Sequence, residues 1–457
     1  MHEVKGIRRM RVVNTNSENG IQWHSGIEFN IDNRLDMIIF GATGYTGKYV
    51  VKDATHMCKE QKMKFGIAGR RREALDAVVK EFASDIGKND IPVIVADIKD
   101  EESLKKMAER AKILINCCGP YRFYGEPVIK ACIATCTHYV DVTAEEEFME
   151  KMQLEYNHAA QKAGIYMVNA CGVVCVPSDL GIIFTQQKFE GEVNDVEVYV
   201  KVWPTDTEKS PCMNYTTWES LIYNLAYPNE LQELYAKLYP TKLPELTPKL
   251  ESRGILHRSD VSEGWSVPYL TFADRPASLR TQRFLYDNYK KRPAQVQVYL
   301  TLKSFEFLKG AITGINLLCM SRTAWGRNLL LRYPALFSCG SVKKENESLK
   351  PGMLKSTNFN VTLKARGWTE KLAEPTNKHT DRPNKKVITK VSSDFPTYEA
   401  TSIIAILSAI TILNEADKMP DNGGVFTPGA AFGKTSLIEQ MNKHNIKFEI
   451  ISSSTVK

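Results

Sequence analysis

The sequence has 457 residues and a formal charge of +7 at pH 7, with 43% hydrophobic and 25% charged residues. These fractions are ordinary for folded proteins and exclude the collagen, coiled-coil and disordered classes. At about 100–200 residues per domain, the length predicts two or three domains. The charge is uneven, because residues 275–344 hold 13 Lys and Arg against 2 Asp and Glu, and the remainder is slightly acidic. This pattern excludes a globally basic protein and argues against nucleic-acid binding.

The cysteines and the N-terminus indicate a reducing compartment rather than secretion. There are ten cysteines with no CxxC pair, and no apolar signal segment precedes residue 34. Residues 1–33 mix both charge signs, which predicts a flexible extension rather than a transit peptide. The spacing of Cys132, Cys136 and His138 is compatible with a metal site. The more common role of such cysteines is that of small buried apolar side chains, and no metal site is predicted.

From residue 34 to residue 203, short apolar runs alternate with amphipathic helical stretches. Repeated βα units of this kind predict an α/β fold, in which a doubly wound parallel sheet forms a Rossmann domain. The predicted strands span residues 36–40, 64–68, 92–96, 113–116, 138–142 and 165–169.

The remainder, residues 204–457, is predicted to form a second, α+β domain. Alternating runs at 358–364 and 386–391 predict an antiparallel pair, and residues 397–451 supply closing helices and a strand, with a loop at 423–429. No uncharged apolar stretch reaches the ~20 residues of a membrane span. The apolar stretch 400–414 is predicted to be a buried core helix.

A glycine-rich motif directly follows the first predicted strand and opens a helix. Glycines in this context allow a tight turn, close approach of backbone N–H groups to a pyrophosphate, and packing of the helix on the sheet. The motif therefore predicts a dinucleotide site formed by Gly41, Ala42, Thr43, Gly44, Tyr45, Thr46 and Gly47.

The second strand predicts which dinucleotide binds. It ends in Gly69 and then Arg70, where NAD proteins present an acid to the ribose, and a guanidinium suits a 2′-phosphate. NADP(H) is therefore favoured over NAD(H), with Arg71 and Arg72 assigned to helix solvation. Later strand ends add the remaining predicted cofactor residues, Asp97, Cys118, Gly119 and Pro120.

These motifs resemble the saccharopine dehydrogenase-like oxidoreductases, the lipid-droplet-associated animal branch of the saccharopine dehydrogenase family. The resemblance rests on residues 40–47, 68–70, 116–132, 280–286 and 423–432, and it extends from residue 34 to the C-terminus. It implies an NAD(P)-binding domain, a second α+β domain, and association with lipid droplets, other membranes or mitochondria. Bacterial relatives include a trans-acting enoyl reductase of complex-lipid assembly, so the resemblance implies no single reaction.

Two departures from the family pattern affect the predicted reaction site. Ala144 replaces a glycine, which predicts strain if that backbone needs a positive φ, and Val174 replaces an aspartate. The remaining candidates for proton transfer are Tyr121, Tyr124, Glu145 and Asp179. Glu145 and Asp179 also have a plain interpretation as helix caps, and Tyr121 as a cover for the cofactor ring.

Residues 305–337 interleave apolar and aromatic groups with Lys309, Arg322, Arg327 and Arg332. This composition predicts a membrane-associating hairpin in which Trp325 and a set of further apolar side chains reach below the headgroups; that set is Leu329, Leu330, Leu331 and Phe337. A hairpin buried against its own domain is the alternative.

Three functions follow in order of preference. The first is an NADP-dependent oxidoreductase at lipid-droplet or anionic membrane surfaces, facing the cytosol and acting on a lipid-like carbonyl or alkene of lipid or glycolipid metabolism. The second is a non-catalytic NADP(H)-binding membrane or interaction protein. The third is a saccharopine reductase of lysine metabolism, disfavoured because an amino-acid enzyme needs no apolar basic segment. A homo-oligomer is left open.

Overall fold

The computed structural model describes residues 33–82, 91–204, 213–269, 273–342, 357–420 and 422–455, with only the backbone for residues 304–312. The predicted N-terminal extension and the polar linker 343–356 lie outside this range, apart from residue 33.

The strands, in chain order, are β1 Leu35–Phe40, β2 Phe65–Gly69, β3 Val93–Val95, β4 Ala111–Asn116, β5 His138–Asp141, β6 Tyr166–Val168, β7 Glu192–Pro204, β8 Trp265–Pro268, β9 Gln295–Leu302, β10 Thr357–Trp368, β11 Lys385–Ser393, β12 Gly424–Phe426 and β13 Ile446–Thr455. The helices are α1 Tyr45–Glu60, α2 Arg72–Phe82, α3 Glu101–Ala108, α4 Tyr121–Ala134, α5 Glu146–Ala163, α6 Val176–Lys188, α7 Tyr215–Ala226, α8 Pro228–Leu238, α9 Asp274–Tyr289, α10 Ser304–Ser321, α11 Ala324–Arg332, α12 Pro334–Phe337, α13 Thr397–Asn414, α14 Pro428–Phe432 and α15 Leu437–Lys443.

The first sheet is parallel and has the order β12-β6-β5-β4-β1-β2-β3. Its strands are apolar on both sides, because helices cover both faces. In β1, Met37 and Ile39 belong to the core that includes α1 and α13, whereas Ile38 and Phe40 face α3, α4 and α5. The strand order reverses between β1 and β4, and a crevice for ligands is expected beyond their carboxyl ends. The predicted doubly wound α/β fold is confirmed.

One strand of this sheet comes from the C-terminal region. β12 pairs in parallel with β6, so the prediction of a loop over 423–429 is wrong at its centre. The run Gly424-Val425-Phe426 is too short and too rich in neighbouring glycines to be recognised as a strand from sequence. Its pairing is decided by β6, which offers an open edge and a site where Val425 is buried.

The second sheet has the order β13-β11-β10-β7-β9-β8, and it is antiparallel except for the pair β7 and β9. The predicted antiparallel pair is present as β10 and β11, which are joined through the charged loop 370–384. Helix α6 packs against β7, β10 and β11. β7 lies almost entirely before residue 203 but belongs to the second sheet, and β12 lies far after it but belongs to the first. The two sheets therefore do not divide the chain at residue 203, where the domain boundary was predicted.

Helix α13 lies between the two sheets. Its side chains are buried from Ala400 to Ile412 with the exception of Thr401, and it packs against α1, β4, β5, β10 and α15. Among the described residues it is the one helix long and apolar enough to cross a membrane, but 67% of it lies inside the protein. An ion pair of 3.3 Å between Lys52 Nζ and Glu399 Oε1 fastens it to α1. The prediction of a buried core helix is confirmed.

Candidate functional site

The glycine motif forms the turn between β1 and α1. Gly41 has a φ of +81°, and a Cβ at this position would lie 2.6 Å from Cys118 Sγ. A Cβ on Gly47 would lie 2.1 Å from the carbonyl oxygen of Gly41. Neither position accepts a side chain, so both glycines are required for the turn to pack against the loop after β4.

The start of α1 lies beyond the carboxyl end of β1 and has no side-chain cap at Gly44. Gly44 is the N-cap and is exposed, and the first turn holds no acidic side chain. The first N–H groups of a helix have no partner within it, and together with the helix dipole they favour an anion. Ala42 is buried beneath the turn, while Thr43, Tyr45 and Thr46 are partly exposed around it. This geometry suits a pyrophosphate.

Arg70 lies at the end of β2 and is exposed, and it forms no ion pair within the described part of the chain. Arg72 instead bonds to Asp76 one turn later, with 3.0 Å between Nε and Oδ1. The two guanidiniums therefore differ as the sequence indicates, because Arg72 belongs to the surface of α2 and Arg70 is available to a ligand. Burial raises the pKa of Cys118 to about 12, against the opposing effect of the nearby Arg70 charge. The charge of Arg70 therefore acts on the loop after β4.

The other predicted cofactor residues have local structural partners. Asp97 Oδ1 accepts the N–H of Lys99 at 3.0 Å, and the N-cap of α3 is Asp100. The N–H of Cys118 bonds to Asn116 Oδ1 at 3.0 Å, which turns the chain sharply before Gly119 and Pro120. The fit to a dinucleotide therefore rests on the glycine turn, the start of α1 and Arg70.

The second domain also reaches this crevice, through residues that local spacing does not reveal. A Cβ on Gly119 would lie 3.2 Å from Thr216 Cγ2, which places the start of α7 against the loop after β4. The ring of Tyr398, at the start of α13, meets Tyr45 edge-to-face with 4.8 Å between ring centroids. Both contacts depend on the folded chain bringing distant segments together, so no sequence signal identifies Thr216 or Tyr398.

Tyr121 is held in a buried polar network at the carboxyl ends of β4 and β5. Its hydroxyl donates to the carbonyl oxygen of Asn116 at 2.8 Å, and burial raises its pKa well above the usual value. Beside it, Asp141 accepts hydrogen bonds from Tyr139, at 2.9 Å, and from Asn169, at 2.7 Å. Burial raises the pKa of Asp141 to about 6. The Tyr121 hydroxyl therefore keeps its proton and anchors the loop.

Glu145 caps α4. Its Oε1 accepts the N–H of Tyr121 at 2.8 Å and the hydroxyl of Ser220 at 2.7 Å, and its Oε2 accepts the N–H of Arg122 at 2.9 Å. A carboxylate at this position satisfies orphan donors and complements the helix dipole. Burial raises its pKa against the lowering effect of these bonds. The cap is on the preceding helix rather than the following one, and it joins both domains through α7.

Asp179 is a buried connector rather than a cap of its own helix. Its Oδ2 accepts the N–H of Gly429 at 2.7 Å and the hydroxyl of Thr281 at 2.8 Å, which ties α6 to α14 and α9. Burial raises its pKa to about 7, and Asp274, bonded to Ser178 at 2.6 Å, has its pKa raised to about 7 for the same reason.

The two departures from the family pattern have different consequences. Ala144 does not have a positive φ, so the strain considered for it does not arise. Val174 packs in an apolar cluster with Met149 and Ala277, where an ionised aspartate would be costly. Of the four predicted catalytic residues, Tyr124 is the exposed one, and the other three are fixed by the bonds described above. Their assignment as catalytic residues stays a prediction.

Residues 37–168 match a family model described as the saccharopine dehydrogenase NADP binding domain. The chain is 35% identical to a saccharopine dehydrogenase-like oxidoreductase of Pongo abelii over 92% of this chain and 98% of the relative. It is 30% identical to a lipid droplet localized protein of Caenorhabditis elegans over 92% and 99% of the two chains. The fold is similar to that of a saccharopine dehydrogenase (L-Glu forming) from Saccharomyces cerevisiae, with a TM-score of 0.54, 12% identity, and coverage of 93% and 100%.

Replacing Arg70 should change the choice of dinucleotide. Wild-type protein is expected to bind NADPH more tightly than NADH, and Arg70→Glu should weaken NADPH binding by about 10–100-fold, because a charge-assisted bond to the 2′-phosphate becomes a repulsion. Fluorescence titration of both cofactors measures this. Arg72→Glu makes the same charge change on the helix surface and should leave the preference intact. Equal wild-type affinities would contradict the role of Arg70.

Replacing Glu145 should lower stability rather than only turnover. Glu145→Ala removes the partners of two N–H groups and of Ser220, which should lower the free energy of unfolding by about 2–4 kcal/mol. Denaturant unfolding monitored by tryptophan fluorescence measures this, with Glu155→Ala, an exposed site on α5, as the control. An unchanged unfolding midpoint in Glu145→Ala would show that the cap is dispensable.

Proposed function

Because the chain belongs to the saccharopine dehydrogenase-like oxidoreductases and carries an NADP-binding domain, we propose that it transfers hydride to or from a lipid-like carbonyl or alkene at lipid-droplet or membrane surfaces. Bound NADP(H) supplies the hydride chemistry. The protein's own residues bind the cofactor, through the glycine turn and Arg70, and hold the loop after β4 at the carboxyl edge of the sheet.

The observation that carries the proposal is an exposed apolar and basic surface on α10, α11 and α12, here called the hairpin surface. Ile315 is 64% exposed, Trp325 72% and Leu336 71%, and Leu318 is also exposed. The cations Arg322 and Arg332 are exposed among them. Exposed apolar patches that are rimmed by polar residues are typical of surfaces that contact another protein or a membrane. The combination suits the boundary between headgroups and acyl chains.

The hairpin also has a core of its own, which corrects one part of the sequence-based interpretation. Leu330 is fully buried and packs with Trp218 and Leu317, while Leu331 and Phe337 are partly buried against the same cluster. These side chains hold the helices to α7 and are not available to a lipid surface. The helical period decides this division, because residues three or four apart on α11 face α7 and the intervening ones face outward.

A cavity next to the hairpin supports access of a lipid-like substrate. It has a volume of about 170 Å³ and lies between the end of α10, where Leu318 and the following Arg322 line it, and the start of α4, where Arg122 does; Glu146 and Glu147 also line it. Arg122 is in the helix that Glu145 caps, directly after the predicted cofactor loop. The cavity therefore lies between the hairpin and the helix that follows the predicted cofactor loop. The name of the nematode relative, a lipid droplet localized protein, supports the same location.

The second candidate function is an NADP(H)-binding membrane or interaction protein without turnover. The observation that favours it is that buried acidic side chains serve as hydrogen-bond acceptors within the protein. Glu145 and Asp179 are both engaged as structural acceptors, and Val174 lies in an apolar cluster in place of the family's aspartate. Of the four residues predicted to transfer protons, Tyr124 is then the exposed one.

Membrane binding should depend on the exposed apolar side chains of the hairpin surface. Ile315→Glu with Leu336→Glu should reduce recovery with floated vesicles of phosphatidylcholine and phosphatidylserine by about tenfold or more, because two apolar groups leave the interface and two anions face the lipid. The matched control is Ile255→Glu with Ile451→Glu, which alters two exposed isoleucines elsewhere. Equal flotation of both double variants would contradict the interfacial role.

Turnover distinguishes the two candidate functions. NADPH oxidation should be detectable with lipid-like enones or ketones in vesicles, and it should fall in Arg70→Glu at NADPH concentrations that saturate the wild type. The measurement is NADPH absorbance over time with a substrate panel. Absence of oxidation with every lipid, in protein that binds NADPH and floats with vesicles, would favour the non-catalytic candidate.

A further inference from the structure

A second cavity lies away from the glycine turn, and six of its lining residues are cations. It has a volume of about 420 Å³ and is bounded by the end of α6, the start of β7, the end of α9, and α14. Its basic lining consists of Lys290, Lys291, Arg292, Lys371, Lys418 and Lys434, and Glu192 is the one acidic residue among the described lining residues. We call it the basic cavity. None of its lining residues belongs to the predicted dinucleotide site.

Arg292 contributes a guanidinium to the wall of the basic cavity, where it forms an ion pair with Glu192 and lies 5.7 Å from the centroid of the Trp368 ring. Its side chain is 5% exposed, and its Nη1 donates to the carbonyl oxygen of Asn377 at 2.7 Å. Its Nε and Nη2 are buried without a hydrogen-bond partner among the described residues. Glu192 Oε2 lies 3.8 Å from Nε, beyond hydrogen-bond distance, and is bonded instead to His379 Nε2 at 2.5 Å. A buried guanidinium with unmet donors favours an additional anion nearby.

The lysines add to this charge rather than neutralise it. Lys291 and Lys371 form no ion pair with a described residue, and Lys434 Nζ lies 3.8 Å from the centroid of the Tyr289 ring. Burial lowers the pKa of Lys291, and the charges of Lys434 and Lys371 lower it further. Lys418 differs, because Glu415 pairs with it at 2.9 Å. The cavity therefore concentrates mutually repelling cations, an arrangement that a bound anion stabilises.

We propose that the basic cavity binds a small molecule that carries two or more phosphate charges. A single carboxylate would compensate one of these cations, whereas a diphosphate group carries enough charge and enough oxygen acceptors for several. The site is concave and of small-molecule size, which distinguishes it from a flat surface for a membrane or a nucleic acid. The diphosphate could belong to a soluble metabolite or to the headgroup of a multiply phosphorylated lipid, and the chemistry of recognition is the same.

The test uses the full-length protein saturated with NADPH, so that the dinucleotide site is filled. Isothermal titration with inorganic pyrophosphate should give a dissociation constant that rises about tenfold or more in the double variant Lys291→Ala/Lys371→Ala, because two charge-assisted contacts are lost. The double variant Lys105→Ala/Lys106→Ala on α3 removes the same charge elsewhere and should stay within about twofold of the wild type. Both pairs are lysines at the surface, and thermal unfolding checks that each variant is folded.

A vesicle arm identifies the source of the phosphate. The measurement is made in the Ile315→Glu/Leu336→Glu background, which removes the contribution of the hairpin surface. If flotation with phosphatidylcholine vesicles containing phosphatidylinositol bisphosphate is then lost on adding Lys291→Ala/Lys371→Ala and is competed by pyrophosphate, the ligand is a lipid headgroup. If pyrophosphate binds and flotation is unchanged by the substitution, the ligand is a soluble phosphate compound. No pyrophosphate binding by the wild type, or equal weakening in both double variants, overturns the proposal.

Discussion

The arrangement of the whole molecule depends on burying α13. An apolar helix of 18 residues cannot stay in water, and neither sheet alone covers all of its sides. The first sheet and α1 cover one side, and β10 with α15 covers another. The chain after α13 must then return to the first sheet, where β12 closes the edge at β6. The C-terminal region is in this way a structural part of the N-terminal sheet.

The same interleaving explains why acids near the crevice are engaged in structure. Where segments distant in sequence meet, helix ends and loop donors become buried and need acceptors. Glu145 supplies them to α4 and α7, and Asp179 supplies them to α9 and α14. Burial raises the pKa of both carboxyls, whereas their bonds to N–H and hydroxyl donors favour the ionised form. The dinucleotide end of the crevice is formed differently, by backbone groups and an exposed arginine.

The basic segment 275–344 is one feature in the sequence but three in the structure. Arg280 and Arg283 are buried in α9, where Arg280 bonds to Gln153 and to the carbonyl oxygen of Met149. Lys290, Lys291 and Arg292 follow at the end of that helix and line the basic cavity. Arg322 and Arg332 are exposed on the hairpin surface. A charge excess along a chain therefore does not define one surface, because helix direction and burial distribute its members.

The sequence by itself determined the parallel sheet, the glycine turn after β1, the place of Arg72 on the surface of α2, and the burial of α13. Each depends on local information: apolar periodicity, glycine positions, or a residue at a known strand end. The tertiary structure alone decided that β12 joins the first sheet, that Leu330 faces α7 while Leu336 faces outward, that Glu145 caps the preceding helix, and that Thr216 and Tyr398 reach the crevice. These depend on contacts between segments far apart in the chain, and local propensity carries no information about which distant group will offer an edge, a donor or a cavity.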